Sequence, residues 1–168
     1  MTASPQPPRS LAVIDIDGVL ADVRHRLVHL DKRPKDWGSF FRAAAKDAPL
    51  AEGLDAARRL AEVYEVVYLS GRPEHLRGDT EAWFRRHDVP PGELHLRPRN
   101  DFRPAREFKV SMLRRFQERA PVAVLVDDDA AVLEAARSAG FDVLPATWMG
   151  SAPERDKLHE AQEHDGRT

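Results

Sequence analysis

A three-layer α/β sandwich on a mostly parallel central sheet, with a small helical cap insertion, is the architecture this sequence predicts. Three observations predict it. Short aliphatic and β-branched runs end repeatedly in Asp, Ser or Gly; longer amphipathic segments separate them; and the alternation continues from residue 11 to the region of residue 145. Strands that alternate with crossover helices pair in parallel, are covered on both faces, and bind ligands beyond their carboxyl ends.

The first ten residues, MTASPQPPRS, are rich in Pro and Ser and predict a disordered leader over residues 1–10. SLAVIDIDG then reads as a short buried strand that leaves Asp15 and Asp17 at its carboxyl end. The stretch ADVRHRLVHLDKRPKDWGSFFRAAAKDAPL is too long for an ordinary loop and carries Trp37, Phe40, Phe41 and Ala44 at helical spacing. It predicts a helical insertion over residues 20–50, either packed locally or acting as a partial lid over the strand ends. From Gly53 the order is regular: GLDAARRLAE a helix, VYEVVYLS a strand, RPEHLRGDTEAWFRRHD a helix and ELHLR a strand. EFKVSMLRRFQER follows as an amphipathic helix, PVAVLV as a buried strand, DAAVLEAARSAG as a helix closed by Gly140, and FDVLP as the last strand. Residues 11–150 thus form a Rossmann-like core, and residues 151–168 read as a polar tail with no packed element.

With 168 residues, 42% of them hydrophobic, the chain suits one compact domain. Apolar runs such as LAVI and AVLV fall far short of the roughly 18 residues that cross a bilayer, so a cytoplasmic protein with no membrane partner is expected. There is no cysteine, which excludes disulfide scaffolds, Cys-ligated zinc, iron–sulfur clusters and thiol nucleophiles. The net charge of −2, from 26 basic and 28 acidic residues, is not that of a dedicated nucleic-acid binder, although local patches remain.

The chemistry-bearing residues sit at the predicted strand ends. Asp15-Ile16-Asp17-Gly18 sends two carboxylates toward one site, with Gly18 allowing a tight departure; such a pair also serves to cap or turn a chain. PVAVLV delivers Asp127, Asp128 and Asp129 to the end of a second buried strand. Capping of the next helix accounts for one of these, Asp129, and leaves two. Adjacent carboxylates repel, and oxygen-only ligation in a cysteine-free chain favours magnesium over zinc. Ser70 and Gly71 follow VYEVVYL, and Lys109 lies near the start of its helix; together they supply donors for phosphate oxygens and a cation.

DIDGVL, LSGR, Lys109 in EFKVS, and VDDD stand in an order that resembles the four motifs of haloacid dehalogenase superfamily phosphatases, over residues 11–145. The resemblance implies that Asp15 is the aspartyl nucleophile and that Asp17 protonates the leaving alcohol and then activates water. It implies phosphoryl contacts from Ser70, Gly71 and Lys109. Magnesium would meet Asp15, Asp127 and the backbone carbonyl of Asp17, with Asp128 a direct or water-mediated ligand. A looser likeness, carried by DWGSFFRAAAKDAPL and SGRPEHLRGDTEAWFRRH, is to the phosphatase domains of polynucleotide kinases. It implies a phosphomonoester at a nucleotide or nucleic-acid end, with a 3′-phosphate the most pointed candidate. No GxxxxGK[ST] loop of the kinase type is present.

Arg72, Arg97, Arg99 and Arg103, with Arg77 and Arg106, cluster near this mouth and suit a phosphate backbone; Phe102 among them either stacks on a base or tucks into the core. A second basic run, Arg24 to Lys35, either attracts polyanions or balances nearby acids. His25 and His29 share a helical face but lack the HExxH pattern of a zinc site. Two alternatives stand beside the nucleic-acid reading. One is a phosphatase or phosphotransferase for a small metabolite; the other is a non-catalytic module that binds metal or phosphate.

Overall fold

The computed structural model describes residues 9–150 and 152–165. The leader expected over residues 1–10 lies outside them except for Arg9 and Ser10. β1 (Leu11–Ile14) is buried at every position, since LAVI has no polar residue to turn toward water. The insertion follows as β2 (Ala21–Asp22), a 3-10 turn over Arg24–Leu30, α1 (Trp37–Arg42), a second 3-10 turn over Ala43–Lys46, and β3 (Ala48–Pro49). Its two short strands pair antiparallel and close it at the base. Then come α2 (Ala51–Val63), β4 (Glu65–Pro73), α3 (Arg77–Arg86), β5 (Glu93–Arg97), α4 (Ala105–Arg119), β6 (Val122–Asp127), α5 (Ala130–Ser138), β7 (Val143–Pro145) and α6 (Ala152–Asp165).

The main sheet runs β5-β4-β1-β6-β7, and every pairing in it is parallel. The chain leaves β1 for β4 on one side and later reaches β6 on the other, so the crevice beyond β1 is a topological switch point. Period-two alternation divides the side chains between the faces. Leu11, Val13, Val67, Leu69 and Leu125 pack with Phe108, Leu113 and Phe116 of α4 and with Val132 and Ala136 of α5. Ile14, Val66, Tyr68 and Val126 pack with Leu54 and Ala57 of α2 and with Trp83 of α3. Truncating fully buried Leu113 to Ala would cost about 2–5 kcal/mol through lost transfer energy and the cavity left behind. α5 starts where Asp129 accepts from the backbone N–H of Ala131 (2.8 Å) and Val132 (3.4 Å), and it stops at Gly140, whose φ of +90° favours glycine. The cap and the stop both match the sequence expectation.

The polar, unpacked tail predicted from residue 151 is instead a docked helix. In α6, Leu158 and Ala161 are buried in a third cluster with Leu27, Leu30, Phe40 and Phe41 of the insertion. Ion pairs supply the rest of the docking: Lys157–Asp31 at 2.6 Å, Lys35–Asp165 at 3.2 Å and Arg106–Glu163 at 3.3 Å. So few apolar positions leave almost no amphipathic signature in the sequence. Among the described residues no helix is long and apolar enough to cross a membrane.

Candidate active site

Strand register assembles the acidic floor. Ile14 of β1 pairs with Val126 of β6, so Asp15 and Asp127 leave adjacent strands at the same level, with Asp15 N–H donating to Val126 O at 2.9 Å. One oxygen from each of the buried residues Asp15, Asp127 and Asp128 lies within 4.8 Å of the others. Lys109, buried on α4, donates from Nζ to Asp127 Oδ2 at 2.6 Å and pairs with Asp15 Oδ2 at 2.9 Å. Three carboxylates against one ammonium leave two negative charges, which a divalent cation would balance. Three hard oxygen donors suit such a cation.

The protonation tendencies describe the same deficit of positive charge. Burial, reinforced by the neighbouring carboxylates, pushes the Asp15 carboxyl well above the usual range although Lys109 pulls it down. Burial also raises Asp128, against the pull of His159. Lys109 stays protonated, because Asp127 and Asp15 outweigh its desolvation. Gly18, at φ +79°, makes the space for Asp128: a Cβ there would lie 2.1 Å from Asp128 Oδ2.

Asp17 belongs to a different group. Its Oδ1 accepts from Arg26 Nη2 at 2.7 Å, from Arg72 Nη2 at 2.6 Å and from Arg72 Nε at 3.0 Å. Asp47 completes the set, accepting from Arg26 Nε at 2.9 Å and Arg26 Nη2 at 2.8 Å, and from Arg72 Nη2 at 3.0 Å. Two buried carboxylates and two buried guanidiniums thus neutralise one another. Burial acts against the Asp17 anion, yet Arg26 and Arg72 hold its carboxyl at about 2. Its other oxygen, Oδ2, is buried without a hydrogen-bond partner.

Ser70 and Gly71 are buried near the end of β4, and the Ser70 hydroxyl accepts from Arg72 N–H at 3.1 Å. The arginines separate. Arg72 and Arg97 are buried: Arg72 serves Asp17, Asp47 and Thr80, and Arg97 donates to Arg103 O at 2.9 Å and sits over the Phe108 ring at 4.5 Å. Neither stands free on the surface: Arg72 is turned inward to buried acceptors, whereas Arg97, although buried, lines the cleft around Phe102. Arg99 and Arg103 are exposed, with Arg103 paired to Asp101 at 2.6 Å. Phe102 is 58% exposed, which removes the core reading. With Trp37, Phe41, Pro73, His75 and Arg99 it lines a cleft of about 780 Å³.

Sequence reasoning missed Arg26, Asp47 and His159. Arg26 lay inside a basic run whose acid-balancing reading is the one realised for this residue, but nothing distinguished it from exposed Arg24 and His25. His159 lay in the supposed tail; its Nε2 is 3.1 Å from Asp128 Oδ2.

A family model described as the polynucleotide kinase PNKP phosphatase domain matches residues 9–147. The chain belongs to that family, within the haloacid dehalogenase superfamily. It is a hydrolase of the phosphatase type, and its cluster of three aspartates is capable of coordinating a divalent cation. Two solved structures of a Pnkp1/Rnl/Hen1 RNA repair complex resemble it with a TM-score of 0.69, at 21% and 20% identity, over 86% of this chain. The phosphatase spans only 45% and 48% of those chains. A haloacid dehalogenase-like family hydrolase from Streptococcus pneumoniae resembles it with a TM-score of 0.59 at 11% identity, over 93% of this chain and 92% of that one. These likenesses carry the fold. No curated protein matches the chain by sequence.

Proposed function

We propose that this phosphatase removes the terminal phosphate from nucleotide or nucleic-acid 3′ ends, using magnesium at Asp15, Asp127 and Asp128. The observation that carries the substrate is the cleft beside the strand ends. β4 lies next to β1, and β5 next to β4. Arg97 pairs with Pro73, beyond the level at which β4 lies beside Asp15, so the cleft on Pro73, Arg97, Arg99 and Phe102 lies past the strand ends on the β4–β5 side of Asp15. The cleft offers aromatic faces in Trp37 and Phe102 and an exposed cation in Arg99, the combination that holds single-stranded ends by stacking and charge. Membership of a polynucleotide kinase phosphatase family and the likeness to an RNA repair complex support the same class.

In this reading the Asp15 carboxylate attacks phosphorus, the P–O bond to the sugar breaks, and the leaving oxygen takes a proton from Asp17. Asp17 then accepts a proton from the water that attacks the aspartyl phosphate, which frees phosphate and restores Asp15. Asp17 presents Oδ2 for both transfers while Arg26 and Arg72 fix Oδ1. A carboxyl held at about 2 starts ionised, so the incoming phosphate anion must raise its proton affinity before it acts as an acid. Ser70, Gly71 and Lys109 would bind phosphoryl oxygens. Magnesium, when bound, supplies charge that screens the nucleophile from the phosphate.

Phosphate release from a 3′-phosphomononucleotide and from matched oligonucleotides, across a salt series, tests the proposal. Added nucleotides should raise catalytic efficiency, the gain should shrink with salt, and Arg99→Ala/Arg103→Ala and Phe102→Ala should each reduce it. A preference for a small sugar phosphate, with no gain from added nucleotides in any variant, overturns the substrate class and leaves the phosphatase chemistry standing. A phosphorylated acceptor in place of free phosphate would instead identify a phosphotransferase.

A further inference from the structure

The third carboxylate of the metal cluster is gripped from beyond residue 147, where the family match ends. His159, on α6, has Nε2 at 3.1 Å from Asp128 Oδ2, with the imidazole 14% and the carboxylate 2% exposed. A carboxylate only accepts, so Nε2 is the donor and carries the proton. The Gly18 backbone closes on the same oxygen from within the loop after β1, in a space that a Cβ would fill. The hydrogen bond and the close approach of Gly18 together stop the carboxylate from turning. The helix that supplies the imidazole is fixed in turn. Leu158 and Ala161 are buried with the insertion, Arg106 pairs with Glu163 at 3.3 Å, and Trp37 Nε1 donates to Asp165 Oδ2 at 3.0 Å.

We propose that His159 is a positioning residue for the cation: its hydrogen bond to Asp128 Oδ2 holds the carboxylate in place beside Asp15 and Asp127 and couples docking of α6 on the insertion to metal occupancy. The inference rests on Asp15, Asp127 and Asp128 forming the divalent site. Hydrogen-bond partners that orient a ligating group commonly change metal affinity about 10–100-fold when removed, without touching the metal. Coupling of this kind is reciprocal, so whatever α6 does for the cation, the cation does for α6.

Calorimetric titration of the substrate-free protein with magnesium chloride, beside thermal melting of the metal-free form, reads this directly. His159→Ala should weaken magnesium binding by about tenfold or more, while His159→Gln, whose amide N–H reaches the same oxygen, should retain most of the affinity. Wild-type affinity in His159→Ala overturns the proposal. So does equal loss in the Ala and Gln variants at unchanged melting temperature. Should His159→Ala fail to fold, hydrogen exchange on the wild type decides: magnesium should slow exchange of the amides over residues 157–164, and no change overturns the coupling. Absence of any magnesium binding by the wild type would instead remove the cation site itself.

Discussion

Arg72 Nη2 lies 2.6 Å from Asp17 Oδ1 across 55 residues of sequence, and the same nitrogen lies 3.0 Å from Asp47 Oδ2. One guanidinium therefore ties the loop after β1 and the end of β4 to the close of the insertion. The carboxylate proposed as acid and base is aimed by residues from three separate segments.

The first prediction concerns acid stability. Asp17 is held at about 2 in the folded chain, below its ordinary value of 3.8. A depressed carboxyl stabilises the fold above the unfolded value, and that contribution disappears as pH falls through the folded one. It should be complete above about pH 4 and lost by about pH 2, on the order of 2 kcal/mol. Urea denaturation of the metal-free protein between these pH values should show a steeper loss in the wild type than in Asp17→Asn. Parallel curves would disprove the assignment.

Asp47→Asn should destabilise the protein by about 3–5 kcal/mol, since it leaves two buried guanidiniums facing one anion. Denaturant midpoints measure the loss. Turnover should also fall, because Asp17 would lose the partner that balances its arginines. A change of only a few tenths of a kcal/mol would show that water already shares the network.

Asp15→Asn keeps the size of the side chain and removes the nucleophilic charge. Turnover should drop on the order of 10⁴-fold or more with the fold intact by circular dichroism. Asp17→Asn should still let a phosphorylated enzyme accumulate with a good leaving group, detectable by intact mass. Multiple turnover at the wild-type rate in Asp15→Asn defeats the covalent route, and in Asp17→Asn it removes Asp17 from its acid-base role.

Magnesium should raise the melting temperature of the wild type, and saturation at about 100 times the dissociation constant corresponds to about 3 kcal/mol. Asp127→Ala should abolish most of that rise, and Asp128→Ala should have a similar or smaller effect. Differential scanning calorimetry with and without magnesium checks both. An equal magnesium response in all three proteins would exclude the cluster as the binding site.

The sheet and the acidic floor were legible because each rests on local signals. LAVI and AVLV can only be buried, and a carboxylate at the end of such a run must face the crevice, so Asp15 and Asp127 followed from pattern alone. Asp129 and Gly140 followed from capping chemistry. Arg26 and Asp47 did not, since their roles exist only once 3-10 turns in the insertion bring them to β4. The burial of Arg72 was not legible either, because a basic residue at a strand end suits a surface as readily as an interior, and only the presence of Asp17 and Asp47 decides between them. α6 was invisible for a third reason: its buried apolar contacts rest on Leu158 and Ala161, and the ion pairs beside them leave no hydrophobic period to read.

The docking of α6 also bears on where this protein can be cut. A fragment trimmed at residue 147, the edge of the family match, would keep the whole sheet and every carboxylate of the cluster. It would nonetheless strip the cover from Leu27, Leu30, Phe40 and Phe41, and exposed apolar patches of that kind drive association. The recognisable module and the fully packed unit thus differ by one helix, and shortened versions of the enzyme should precipitate or self-associate although the carboxylates of the cluster are all present.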